Sequence, residues 1–184
     1  MERQRMQGLS FSIALLLFHA QMTLPLVEAS VEQTCSEAAK SDPRVNYKFC
    51  VDSLSRHRGS TEADTWRLAQ IASDLAVNTS EVGKLLVDDM AKKEVRDPDM
   101  RRLLNGCSKL YDDMGTAAAR AEDNVRTRNY GAAKQLLNQG IAMARQCQTS
   151  FGRAGKGAPA IVTQIDTEAV NLGILAYAIT NLLK

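Results

Sequence analysis

From Leu68 to Leu183 the apolar residues of this chain fall in steps of three and four, and that spacing restricts the fold more than any other feature. On a helix such steps collect on one face. The first run is Leu68, Ile71, Ala72, Leu75, Ala76, Val82, Leu85 and Leu86. The second is Leu103, Cys107, Leu110, Met114, Ala118, Ala121 and Val125, and the third is Tyr130, Ala133, Leu137, Ile141, Ala144 and Cys147. The fourth, Val162, Ile165, Ala169, Leu172, Ala176, Ile179 and Leu183, keeps a seven-residue repeat. Short breaks separate the runs. Arg96-Asp97-Pro98-Asp99 ends one helix and starts the next, with Pro98 suited to a first turn. Thr127-Arg128-Asn129 is a tight connection, and Gly152 to Gly157 is a flexible connector with three glycines. No stretch sustains the period-two alternation of a strand. The pattern predicts an all-α chain whose residues 61–184 form an antiparallel up-down four-helix bundle.

Two shorter elements precede the bundle. Thr34 to Lys40 has a helical composition, Ser41-Asp42-Pro43 is a turn, and Val45 to Leu54 suits a second short helix. Residues 30–57 therefore read as a helical hairpin, followed by the loop His57-Arg58-Gly59-Ser60. Thr61 with Asp64 marks the start of the first long helix. Residues 1–29 have another character. Arg3 and Arg5 lead into the apolar stretch Leu9 to Phe18, and Val27-Glu28-Ala29 offers modest side chains at a cleavage point. This is the pattern of a secretory signal peptide cut after Ala29. Its apolar core is about half of what a membrane span needs. The expected organisation is a leader over 1–29 and one domain over 30–184, with no membrane segment after cleavage.

Secretion gives the cysteines a meaning. All four, Cys35, Cys50, Cys107 and Cys147, follow the leader. An even number in an oxidising compartment implies two disulfides, with three possible pairings. Closing the hairpin brings Cys35 level with Cys50. Cys107 lies about 21 residues before the connection at Arg128 and Cys147 about 19 after it. At 1.5 Å per residue both stand roughly 30 Å from that turn. Antiparallel helices would hold them side by side, which gives Cys107–Cys147. Loop-closure entropy assigns about 4 kcal/mol to that bond and about 3 kcal/mol to Cys35–Cys50.

The inventory for chemistry is thin. Lys and Arg number 23 against 21 Asp and Glu, and aromatic residues make up 5%. So small a surplus with so few rings excludes a nucleic-acid surface. Past the leader the only histidine is His57, in a polar loop, so no Ser-His-Asp or Cys-His set can be assembled around a second one. The usual zinc sets are excluded too, and no metal or cofactor is expected. The acid pairs Asp88-Asp89, Asp112-Asp113 and Glu122-Asp123 are adjacent, so their members point about 100° apart on a helix and read as solvated faces. Gly152 to Gly157 lacks the spacing of a phosphate loop. Asn78-Thr79-Ser80 is the one glycosylation sequon after the leader, and Asn78 falls off the apolar stripe. A stapled secreted scaffold of this kind reads as a binding or inhibitory module, not an enzyme.

Several motifs carry a family resemblance. They are Thr34-Cys35, Asn46-Tyr47-Lys48-Phe49-Cys50, and Asp64 followed by Leu68-Ala69 and Ile71-Ala72. They continue in Leu104-Asn105-Gly106-Cys107 with Leu110-Tyr111, in Asn129-Tyr130, in Ala142 with Cys147 and Phe151, and in the closing Ala178-Ile179-Thr180-Asn181-Leu182-Leu183. Together they resemble the plant invertase and pectin methylesterase inhibitors, including an invertase-inhibitor subgroup of pollen allergens. The resemblance implies a hairpin plus four-helix bundle, secretion to the apoplast and cell wall or to the vacuole, and reversible one-to-one blocking of a carbohydrate-active enzyme. Pectin methylesterase is the leading target, because its branch of the family is the larger, and the bundle would lie over its substrate cleft. Cell-wall or vacuolar invertase is the alternative. Gln146 stands where a pectin methylesterase inhibitor often has threonine, no acids follow Cys147, and Leu172-Gly173-Ile174 lacks the fifth cysteine many of them carry. The Pro-Lys-Phe motif of some invertase inhibitors is absent as well. A non-inhibitory small-ligand carrier or structural allergen is the third reading. If the second and third bundle helices form the interface, the expected contacts are Lys109, Asp113, Thr116, Arg120, Lys134, Asn138, Arg145 and Gln146.

Overall fold

A computed structural model describes residues 30–184, and the leader expected over 1–29 lies outside them. All regular structure among the described residues is helical. Helices α1 (Val31–Ser41) and α2 (Tyr47–Ser55) form the hairpin. Helices α3 (Thr65–Lys93), α4 (Pro98–Arg126), α5 (Tyr130–Arg153) and α6 (Ala160–Leu182) form the bundle. Each boundary has a local cause. Ser30 Oγ accepts from the Gln33 amide and Asn46 Oδ1 from the Phe49 amide, at 3.1 and 3.0 Å. Asp64 Oδ1 accepts from the Arg67 amide at 2.7 Å. Asp97 Oδ1 accepts from both Asp99 and Met100, with Pro98 as the first helical residue. Such caps satisfy amides that have no partner within the helix.

The helices pack as a ring. Helix α3 packs against α4 and α6, and α5 packs against the same two, while the hairpin rests on α6 and touches α3. This is the expected up-down bundle. One half of the core lies at the hairpin end, around Leu54, Leu68, Ile71, Val125, Leu137 and Ile179. The other half lies at the far end, around Val87, Leu104, Tyr111, Phe151 and Val162. Between them the interior narrows to Ala76, Ala118 and Leu172.

Two expectations fail in detail. Past Ala76 the buried face of α3 runs through Ser80, Gly83, Val87 and Ala91, while Val82 and Leu85 stand 52% and 70% exposed. The small residues turn inward because the neighbours come close. A Cβ on Gly83 would lie 2.9 Å from Ile165 Cγ2 and 3.0 Å from Tyr111 Cε1. Ser80 reaches the interior by giving its hydroxyl to the Ala76 carbonyl at 2.6 Å. On α4 the expected stripe is buried at Cys107, Met114, Ala118, Ala121 and Val125, but in the first half Leu104 and Tyr111 go inward and leave Leu103 and Leu110 half-buried. The second difference is the position of the glycine connector expected over Gly152 to Gly157, which begins two residues later. Helix α5 continues through Gly152 to Arg153. Gly155 takes the left-handed φ of 66° that suits glycine, and the Lys156 amide bonds back to the Phe151 carbonyl at 2.9 Å. The Lys156 ammonium pairs with Asp97, which ties this turn to the α3–α4 connection.

Candidate partner-binding surface

Both disulfides are formed. Cys35 and Cys50 join the hairpin with their Cα atoms 5.8 Å apart, and Cys107 and Cys147 lock α4 to α5 at 5.0 Å. The second bond sets the register of the α4–α5 face. Residues 107 and 147 are level, so Lys109 stands level with Arg145 and Arg120 level with Lys134.

The outer line of α4 carries Lys109, Asp113, Thr116 and Arg120 in steps of four, three and four. Lys109 Nζ meets Asp113 Oδ2 at 3.3 Å. Thr116 leans to the α3 side, where it lines a groove with Ser80, Lys84 and Gly115. Helix α5 divides its four residues. Lys134 Nζ donates to Asn181 Oδ1 of α6 at 2.9 Å. At 100° per residue, Asn138 and Arg145 fall within about 40° of Lys134 and face the same side. Gln146 turns about 100° away from Arg145 toward α4 and is exposed. The eight residues therefore do not share one face. Lys109, Asp113, Arg120 and Gln146 border the α4–α5 face, Lys134, Asn138 and Arg145 border α5–α6, and Thr116 borders α3–α4.

Of the adjacent acid pairs, Asp88, Asp89, Asp113 and Asp123 form ion pairs within their own helices. Asp88 pairs with Lys84 at 2.8 Å and Asp89 with Lys93 at 2.6 Å, in opposite directions along α3. Lys84 and Ser108 hold the Asp88 carboxyl below its ordinary range. Lys156, with the Met100 amide, does the same for Asp97. His57 Nδ1 accepts from the Gly59 amide at 3.1 Å within its own turn. Asn78 is exposed on α3. Among the described residues no group of three or more His, Cys, Asp or Glu side chains is placed to hold a metal ion. No helix among them is long and apolar enough to cross a membrane. The interior gap lined by Ala76, Met114, Leu137 and Gly173 has a volume of about 10 Å³, room for one water at most.

Two features escaped the spacing argument. Asp166 is 1% exposed and accepts the Tyr111 hydroxyl proton on Oδ1 at 2.7 Å, while its Oδ2 has no partner among the described residues. Burial pushes its carboxyl up to about 6, against the pull of the Tyr111 bond, and burial likewise raises the Tyr111 hydroxyl. The available signal was position, since Asp166 stands four after Val162 and three before Ala169, on the apolar face. The other feature is Trp66, whose Nε1 donates to the Val125 carbonyl at 2.9 Å under the Arg128 guanidinium. It ties the start of α3 to the end of α4, where Arg128 holds a left-handed φ of 61°.

With this geometry in view, the chain belongs to the plant invertase/pectin methylesterase inhibitor family, whose sequence profile matches residues 29–180. It is 40% identical over 159 residues to Pectinesterase inhibitor 8 of Oryza sativa subsp. japonica, covering 86% of this chain and 85% of that one. It is 30% identical over 177 residues to a Platanus acerifolia protein named as an invertase inhibitor, covering 95% and 98%. The fold is that of a crystallised mutant pectin methylesterase inhibitor from Arabidopsis, with a TM-score of 0.70 at 18% identity over 84% of this chain and 98% of that one.

Proposed function

We propose that this protein inhibits pectin methylesterase by reversible one-to-one binding over the enzyme's substrate cleft, in the apoplast, after removal of residues 1–29. The observation that carries this reading is the 40% identity, across nearly the whole domain, to a rice protein named as a pectinesterase inhibitor. The physical properties of the bundle suit the task. Capped helices and two covalent staples present side chains already ordered, which lowers the entropy cost of association. The α4–α5 face is the docking surface in this reading, because Cys107–Cys147 fixes its two helices against each other. Lys109, Asp113, Arg120 and Gln146 would make its polar contacts, with Thr116, Lys134, Asn138 and Arg145 on the flanks. The protein is not itself an enzyme in this reading, which follows from its membership of a family of inhibitors.

Invertase is the second reading, and the Platanus relative supports it. So does Gln146 in place of threonine before Cys147. A mixing experiment separates the two. The oxidised protein from Ser30 to Lys184 should co-elute with a plant pectin methylesterase as a one-to-one complex in gel filtration and leave invertase free. Gln146→Trp should weaken that complex at least tenfold with helical circular dichroism intact, whereas Asn138→Trp should not. Co-elution with invertase alone would move the protein to the second reading.

A further inference from the structure

Two exposed apolar side chains, Val82 and Leu85, stand on α3 away from the α4–α5 face. Where α3 meets α6, beneath the end of α2, a surface groove of about 260 Å³ is lined by Arg56, Leu75, Asn78, Val82, Glu168 and Leu172. Val82 follows Asn78 by four residues and Leu85 by seven, about 6 and 10 Å along the helix axis. These are the two large apolar side chains of α3 that stand mostly in solvent. Asn78 is exposed at the head of this line, held only by a long 3.4 Å bond from its Nδ2 to Asp74.

We infer that Asn78 carries an N-linked glycan whose first sugars lie along this groove and cover Val82 and reach toward Leu85. This rests on the secretory reading of residues 1–29. Pyranose rings present C–H faces that pack on aliphatic side chains, and the Arg56 and Glu168 side chains beside the groove can meet the ring hydroxyls. The sequon Asn78-Thr79-Ser80 supplies the chemistry. Asn78 Nδ2 attacks the anomeric carbon of a lipid diphosphate-linked oligosaccharide. The C–N bond forms, the bond from that carbon to the diphosphate oxygen breaks, and the lipid diphosphate departs with the proton lost by the amide. The folded chain hides part of the sequon. Ser80 is 1% exposed and its hydroxyl is given to the Ala76 carbonyl. Transfer therefore precedes folding of α3, while the chain is entering the secretory compartment. In the ring of helices the α3–α6 face is diametrically opposite the α4–α5 face. The glycan shields apolar surface without obstructing the proposed docking side.

The test is secretion of the full chain from cultured plant cells, with wild type compared with Asn78→Gln and Ser80→Ala. Intact mass should show one glycan on the wild type and none on either variant. Release by an amidase that acts on both plant and animal N-glycans should leave aspartate at position 78. The amidase-treated native protein should bind more of an apolar dye than the glycosylated one, and Val82→Ser with Leu85→Ser should abolish that difference. A wild type found in the medium, starting at Ser30 and carrying no sugar, overturns the inference. So does a glycoprotein whose dye binding is unchanged by removal of the sugar, or an unmodified chain whose exposed α3 face forms a dimer that Val82→Ser disperses. A chain that retains its leader inside the cell defeats the secretory reading and the inference with it, and its intact N-terminus distinguishes that case.

Discussion

The Tyr111 hydroxyl donates to Asp166 Oδ1 at 2.7 Å across 55 residues of sequence, and both side chains are 1% exposed. They bridge α4 and α6, which are diagonal in the ring. An ionised carboxylate here would leave Oδ2 charged, dry and without a partner, at a substantial desolvation cost. The fold therefore favours the neutral acid, and that sets the sign of a pH effect. Burial raises the folded carboxyl from its ordinary value of 3.8 to about 6. The folded state binds the extra proton within that window. The stabilisation is fully present below about 4 and is lost as pH rises through about 6.

Urea unfolding at several pH values should show stability falling by roughly 2–3 kcal/mol between pH 4 and pH 7. Asp166→Asn should flatten that fall and be more stable than wild type at pH 7. Asp42, Asp88 and Asp97, whose carboxyls are lowered by Arg44, Lys84 and Lys156, act in the opposite sense but only as pH drops below about 4. A wild type with no pH dependence over this interval, or a variant that parallels it, would contradict the account of this pair.

The two disulfides should differ in their effect. Replacing Cys107 and Cys147 by alanine opens a link across 40 residues and should cost about 4 kcal/mol, against about 3 kcal/mol for Cys35 and Cys50 across 15. For a chain of this size the larger loss lowers Tm by about 10 °C. Calorimetry of the two double variants measures both values. The hairpin variant should keep the bundle's helical signal at room temperature.

Glycine to alanine should change sign with position. At Gly173 a Cβ would stand 2.7 Å from Ile141 Cγ1, between α5 and α6. Overpacking there should cost about 1–3 kcal/mol and outweigh the gain in helix propensity. At exposed Gly106 nothing lies within 4 Å of the added atom, so alanine should stabilise by about 0.5–1 kcal/mol. Chemical denaturation of the two variants should move the midpoint in opposite directions.

Much of the fold was legible because its signals are local or one-dimensional. Asp97-Pro98 marks a helix start by chain chemistry alone, and counting residues from Arg128 places Cys107 beside Cys147. The rotation of α3 past Ala76 was not legible in the same way. Apolarity pointed to Val82 and Leu85, whereas the interior takes Ser80 and Gly83 because Tyr111 and Ile165 need the room. The candidate surface was legible only in part. Spacing shows that Lys134, Asn138 and Arg145 share a side of their helix, but only the tertiary contact from Lys134 to Asn181 shows that this side faces α6. Asp166 was hidden for a related reason, since an acid in a helix reads as solvated until its neighbours are known.

The central claim is inhibition of pectin methylesterase, and steady-state titration tests it most directly. The oxidised protein from Ser30 to Lys184 is added to a plant pectin methylesterase and, in parallel, to cell-wall and vacuolar invertases, at acidic and neutral pH. The account predicts that ester hydrolysis falls to zero at one equivalent of inhibitor when the enzyme concentration is well above Kd, while sucrose hydrolysis is unchanged. Full ester hydrolysis in the presence of excess folded protein would contradict it.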